Sequence, residues 1–198
     1  MNKRIRKKIL RRNNKKLIKE YPFLLPIYNE YGFPENNYKY DYTILDDLPV
    51  GWRKAFGILM LDELKEELIK HNILHKYRVL QVKEKYGGLR WYVSGYPHES
   101  KVNEIIKKYE IISENVCIKC GKPDVPMVNA GWISPYCKKC WWNKELYDGF
   151  TKNSRTSIKE EYKFSFYKDG KWNDETIDIK ETVEKIRYNY NKRRRKNA

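Results

Sequence analysis

The sequence has no apolar run approaching the ~18 residues that a membrane-spanning helix requires. Its N-terminus is basic and is not followed by the short apolar core of a secretory signal. Those two absences point to a reducing cytoplasm. Histidine is scarce: His71, His75 and His98 are the only three, and none follows residue 98. There is no Walker-type phosphate loop, no GxGxxG and no GxSxG. The commonest signatures of nucleotide binding and of nucleophilic hydrolysis are therefore missing. Cysteine is scarcer than its placement suggests, with four in 198 residues.

All four fall in two pairs, Cys117-Ile-Lys-Cys120 and Cys137-Lys-Lys-Cys140. A CxxC knuckle aims two thiolates at one point. Two knuckles supply the four that a tetrahedral structural Zn²⁺ takes, at about 2.3 Å from each sulfur. Gly121-Lys-Pro123 suits a tight turn after the second ligand. One structural zinc on Cys117, Cys120, Cys137 and Cys140 is the expectation. The competing reading is two disulfides or four free thiols, and disulfides need an oxidising compartment. A closed four-cysteine site is a staple rather than a reaction centre.

The net charge of +16 is placed unevenly. Residues 1–19 carry ten Lys or Arg and no acid, and residues 185–198 carry seven and no acid. Without these 17 of the 42 basic residues, 25 remain against 26 acids. The body is near neutral and the ends hold the excess. Such ends are attracted to polyanions, nucleic acid among them; the plainer alternative is solubilising tails. This divides the chain into a basic N-terminal arm (1–20), a body (21–184) and a basic C-terminal tail (185–198). Arg4, Arg11, Arg12, Arg193, Arg194 and Arg195 represent the arms as phosphate contacts. The N-terminal arm reads as a short basic helix that forms on binding, weakened at Asn13-Asn14. It has no aromatic residue to insert into a membrane surface.

Within the body, residues 21–51 are rich in Pro and Tyr and read as an irregular packed segment. Trp52, Phe56, Leu59, Met60, Leu64 and Leu68 repeat at helical spacing, with Glu63 and Glu67 alongside. Glu63, Glu66 and Glu67 are expected to face solvent or a Lys one turn away. Residues 77–94 hold two alternating runs around Gly87-Gly88, a hairpin signal. A two-residue Gly-Gly turn would set Tyr86 against Leu89, Glu84 against Trp91 and Val82 against Val93, on one apolar face with Leu80. The other face would pair Lys85 with Arg90, Lys83 with Tyr92 and Gln81 with Ser94. Like charges directly opposite are unfavourable. Lys83, Lys85, Arg90 and Tyr92 therefore invite a phosphate and a stacked base or sugar, unless nearby acids neutralise them. Glu84 reads either as paired beneath the sheet or as a partly buried acid. A second helix over 98–114, capped by His98 or Ser100, delivers the chain to Cys117. Trp132, Trp141 and Trp142 are expected to pack the metal site against the hairpin, and 141–147 to form a short helix. Lys163 to Tyr167, then Asp169-Gly170 and Lys171-Trp172, is a weaker hairpin signal, and 178–190 a last helix.

Gln81-Val-Lys-Glu-Lys-Tyr-Gly-Gly-Leu-Arg-Trp-Tyr-Val93, an Ile-rich helix, Cys-x-x-Cys-Gly and Gly131-Trp-Ile follow in order. Over residues 48–140 this resembles a group of small zinc-knuckle proteins carried by bacteriophages and prophages. The resemblance implies a phage origin and a bacterial host cytoplasm. It assigns no activity and gives no residue a role. Treble-clef His-Asn-His endonucleases of phages are similar in knuckle spacing. They need an Asp-His pair between the knuckles to activate water, and the residues between these knuckles contain no histidine.

The expected fold is α+β: a small antiparallel sheet, the hairpin 77–94, packed on helices. A Zn(Cys)₄ knuckle pair of zinc-ribbon or treble-clef-like type, in segment 115–147, closes one end. The expected function is non-enzymatic nucleic-acid binding, DNA or RNA, with no membrane contact. The alternative is a phage interaction module that inhibits or redirects a host or defence protein. A metal-dependent nuclease comes third.

Overall fold

In a computed structural model the described residues are 2–26, 38–129, 132–142, 151–152, 161–168 and 171–196. They fold into helices around small antiparallel sheets. Helix α1 (Lys3–Glu20) starts where the Asn2 side chain accepts the Arg4 N–H at 2.9 Å, and stops before Tyr21-Pro22. Its polar middle is an anchor. Asn14 is buried, and its Nδ2 donates to the Tyr40 carbonyl at 2.9 Å. Leu17 and Ile18 pack on the core beyond it.

The central helix runs as α2 (Val50–Trp52), a π-helical turn (Arg53–Gly57) and α3 (Ile58–Lys70). Trp52, Phe56, Met60, Leu61, Leu64 and Leu68 are buried. Leu61 joins the stripe although the plain helical period omits it; a π turn adds a residue and rotates the face that follows. Of the acids of α3, Glu66 faces solvent and Glu67 has Lys70 one turn away at 3.9 Å, as expected, but Glu63 and Glu67 also take partners on another element. Glu63 takes Lys108 and the Tyr109 hydroxyl, the latter at 2.9 Å. Glu67 is buried and accepts the Lys101 N–H at 2.8 Å and His71 Nε2 at 2.9 Å. It thereby caps α4 (Val102–Ser113), a role expected of His98 or Ser100.

Strands β1 (Arg78–Lys85) and β2 (Gly88–Ser94) form the hairpin. The turn differs from the Gly-Gly expectation. Lys85 pairs with Gly88, so the two turn residues are Tyr86 (φ +53) and Gly87 (φ +79), the type I′ pattern. Glu84 then faces Leu89, Lys83 faces Arg90 and Val82 faces Trp91. The pairs slip by two, so each side chain keeps its face. A bulge between Val79 and Gln81 reverses one assignment: Val79 is buried and Leu80 is 59% exposed. The outer edge of β2 is covered by α4. Ser113 Oγ accepts the Leu89 N–H at 2.8 Å, and the Glu110 carboxylate accepts the Trp91 N–H.

Strands β3 (Met127–Asn129) and β4 (Ile133–Pro135) pair within the cysteine segment, and β5 (Thr151–Lys152) adds to β3. Helix α5 (Lys138–Trp142) carries the fourth cysteine. The expected continuation of that helix to 147 lies outside the described residues. Strands β6 (Glu161–Lys168) and β7 (Lys171–Asp178) make a second hairpin whose turn residues, 169–170, are outside them too. Helix α6 (Lys180–Lys196) inserts Val183 and Ile186 into the core.

Candidate metal centre and basic surface

The first knuckle hangs directly from α4. Asn115 is buried, accepts the Val125 N–H at 3.1 Å and donates Nδ2 to the Val125 carbonyl at 3.3 Å. That bracket closes the loop 115–125. Inside it the Cys117 N–H donates to the Lys122 carbonyl at 2.8 Å, and the Gly121 N–H to the Cys117 carbonyl at 2.9 Å. Gly121 has φ +76, and a Cβ there would lie 2.6 Å from the Gly51 carbonyl oxygen, so glycine is needed twice over. In the second knuckle the Cys137 carbonyl accepts the N–H groups of Cys140 and Trp141, both at 3.0 Å. The Ile118 N–H reaches across to the Pro135 carbonyl at 2.9 Å and sets the two knuckles face to face.

The result brings the four Sγ atoms within 4.8 Å of one another. Cys120 Sγ and Cys137 Sγ are 3.6 Å apart. Four sulfurs at about 2.3 Å from a tetrahedral ion would be about 3.8 Å apart, so the donor set and spacing fit a metal ion. Without an ion the thiols compete for protons. Hydrogen bonding from the Cys120 thiol, helped by backbone N–H groups and opposed by burial, holds Cys117 at about 5. Donating that bond, together with burial, pushes Cys120 up. Cys140 is pushed to about 11, by burial first and then by the Cys117 thiolate. A bound cation would allow four thiolates to coexist here.

Helix α6 lies over this centre. Arg187 forks onto Asp124, Nε to Oδ2 and Nη2 to Oδ1, both at 2.9 Å. Arg193 Nη1 donates to the Lys54 carbonyl of the π-helical turn. Between α6 and the knuckles is a groove lined by Cys120, Lys122, Cys137, Lys138, Lys139, Cys140, Tyr190 and Arg194. The phenol of Tyr190 is shifted up by burial, then by the nearby cysteine thiolates.

The residues expected to contact phosphate are not gathered in one place. Lys83 and Arg90 face each other on the hairpin, and the Lys83 ammonium lies 5.2 Å from the centroid of the exposed Tyr92 ring. Lys85 lies over the Tyr86 ring at 5.4 Å. Arg90 donates to the Leu89 carbonyl at 2.6 Å, and its charge is felt by Glu110 of α4. Arg11 forks onto Asp41 at 2.7 and 2.9 Å, joined by Lys7. Arg193 is held as described above. Arg4, Arg12, Arg194 and Arg195 are exposed, and none has a carboxylate partner among the described residues. Glu84 accepts the Gly87 N–H at 2.5 Å and the Trp132 indole N–H at 3.1 Å. Trp132 thus joins the cysteine segment to the hairpin turn while remaining 61% exposed, and Trp141 packs on Tyr136.

Sequence reasoning missed Lys122, Lys138, Lys139 and Tyr190 as neighbours. The basic residues inside and beside the CxxC pairs were visible, but the docking of α6 upon them had no local signal. No family model, no curated protein and no solved structure matches the chain. No helix among the described residues is long and apolar enough to cross a membrane.

Proposed function

We propose that the chain is a zinc-stabilised, non-enzymatic nucleic-acid-binding protein, with the knuckle pair a zinc-ribbon or treble-clef-like staple. The observation that carries this reading is the display of unpaired cations on two anchored helices. On α1, Arg11 and Lys7 share Asp41. Arg4, Lys8, Arg12 and Lys16 recur every fourth residue and are exposed without a carboxylate partner among the described residues. On α6, Arg194, Arg195 and Lys196 are likewise exposed. Arg11 on Asp41 anchors α1 to the body, and Arg193 on the Lys54 carbonyl anchors α6 to the central helix. Anchored cations lose less freedom on binding than those on loose tails.

The test is salt dependence. If six or more phosphates are contacted, affinity for DNA or RNA should fall by ~10³ or more between 50 and 200 mM salt. A salt-insensitive affinity removes the reading.

A second reading is a phage interaction module acting on a host or defence protein in the bacterial cytoplasm. It is favoured by the apolar group at the hairpin turn, where Tyr86 (65%), Trp132 (61%) and Ile133 (38%) are exposed. A partner retained from host lysate after nuclease treatment supports this alternative, and one lost with nuclease supports the first.

A further inference from the structure

The groove between α6 and the cysteine knuckles gathers unpaired cations from three segments of the chain, whereas the unpaired cations of α1 lie along a single helix. On the hairpin, Arg90 has Glu110 nearby, and on α1, Arg11 is bound to Asp41. In the groove four cations, Lys122, Lys138, Lys139 and Arg194, are all exposed, and no carboxylate is among the lining residues. None of the four makes an ion pair among the described residues. Four thiolates around a divalent ion leave two negative charges, which four cations exceed. The surplus is positive and faces solvent.

The walls are also fixed in place. Arg187 on Asp124 and Arg193 on the Lys54 carbonyl pin α6 to the loop and to the π-helical turn on either side of Tyr190. Tyr190 is half-buried and lines the groove together with the cations of α6 and of the knuckles. Cations spread along anchored walls beside an aromatic ring suit a phosphodiester backbone better than a single small anion.

From this juxtaposition we infer that the groove is the principal seat of the nucleic-acid backbone, with Lys122, Lys138, Lys139 and Arg194 contacting successive phosphates and Tyr190 bordering the path. The inference rests on the nucleic-acid reading above and names the site at which it operates. The hairpin face, by contrast, is secondary.

The experiment uses the full, zinc-loaded chain. A fourfold variant (Lys122→Gln, Lys138→Gln, Lys139→Gln, Arg194→Gln) is compared with an equal-charge control (Lys39→Gln, Lys76→Gln, Lys101→Gln, Lys180→Gln). All eight side chains are exposed, so both proteins should keep one zinc and the wild-type circular dichroism. Binding of a short fluorescent duplex, and of a single strand of the same sequence, is titrated against salt. At a slope of about −0.9 per phosphate on duplex, the groove variant should lose about 3 to 4 from the slope of log affinity against log salt, and the control less than about 1. The probe with the larger slope loss identifies the strandedness that the groove takes. An unchanged slope in the groove variant, beside steep wild-type binding, overturns the groove and leaves the nucleic-acid reading standing. An equal loss in the control also overturns it, because net charge alone would then explain the effect. A wild-type chain that binds neither probe overturns both.

Discussion

Gly51 offers the sharpest test of how the metal loop is joined to the core. It opens the central helix, and a Cβ added there would lie 2.1 Å from the Cys117 carbonyl oxygen and 2.5 Å from the Ile118 carbonyl carbon and oxygen. All three are backbone atoms, so no side chain can swing aside. The Gly51→Ala methyl must push the helix and the first knuckle apart by about 1 Å or more to reach ordinary contact. Two hydrogen bonds cross that gap: Gly51 N–H to the Ile118 carbonyl at 2.8 Å, and the buried Trp52 Nε1 to the Val116 carbonyl at 2.8 Å. Overpacking costs about 1–3 kcal/mol, and each weakened buried hydrogen bond adds about 1 kcal/mol. The sum, about 3–5 kcal/mol, is a large part of the stability of a domain this size. Gly57→Ala, six residues along the same helix, is the control. Its Cβ would meet only side chains, at 3.6–3.7 Å, which is ordinary contact. That substitution should be neutral, or stabilising by up to about 1 kcal/mol through helix propensity. Chemical denaturation with zinc present measures both, and metal content per chain is read alongside. A Gly51→Ala protein within about 0.5 kcal/mol of wild type that keeps its zinc would refute this account of the junction.

Cys120→Ser should lose the metal and the fold together, read as zinc stoichiometry and loss of the cooperative melt. Ser113→Ala leaves the buried Leu89 N–H without its acceptor and should cost about 1–3 kcal/mol in denaturant melts. Burial, only partly offset by Lys107 and Arg90, raises Glu110. A folded value above the unfolded one of about 4.3 means that stability declines as pH rises from about 4.3 through the raised value. Glu110→Gln keeps an acceptor for the Trp91 N–H and should flatten that decline in melts taken across pH, whereas Glu110→Ala should not restore stability. Asp41 moves the opposite way. Hydrogen bonding from Arg11, then the charges of Arg11 and Lys7, hold it at about 2. The anchoring of α1 should therefore be complete above about pH 4 and fade as pH falls through 2. Amide exchange of α1 would follow this, and Asp41→Asn should show the weaker anchoring at every pH.

The parts of the fold that were legible in the sequence are those governed by local pattern. The two CxxC pairs predicted a single four-thiol cluster, and the structure assembles one. The alternating runs predicted which hairpin side chains share a face, and except at Leu80, beside the bulge, that survived a wrong register because a slip of two residues preserves the pleat. The register itself was misread because Gly87-Gly88 looked like a complete turn. Gly88 instead opens β2 as the partner of Lys85, and a Cβ on it would meet only side chains, Arg90 Nη1 at 3.0 Å and Glu114 Oε1 at 3.4 Å. Tyr86 takes the left-handed position in its place. What stayed illegible depends on partners distant in sequence. Nothing local in Asn14 predicts burial against the Tyr40 carbonyl, and nothing local in Glu67 predicts that it caps a helix beginning 35 residues later. The π turn at Arg53–Gly57 and the docking of α6 are of the same kind, set by packing rather than propensity.

The cysteine cluster governs more than its own loop because of where its tethers run. Gly51 N–H to Ile118 and Trp52 to Val116 tie it to the central helix. Arg187 on Asp124 ties it to α6, and Trp132 on Glu84 ties it to the hairpin turn. Each tether ends on a different surface, and two of those surfaces carry the cations proposed to meet nucleic acid. Losing the metal would therefore loosen α6 and one wall of the groove without any ion touching a ligand. A metal-dependent affinity is thus the expected behaviour of a staple and does not by itself argue for a reacting metal. The two roles separate by order of events. With a structural metal, chelation first releases α6, seen as faster amide exchange in its last three turns, and affinity falls in step. With a metal that contacts the ligand, affinity falls while α6 stays protected. The closed set of four cysteines, with Cys117, Cys137 and Cys140 buried, favours the first sequence.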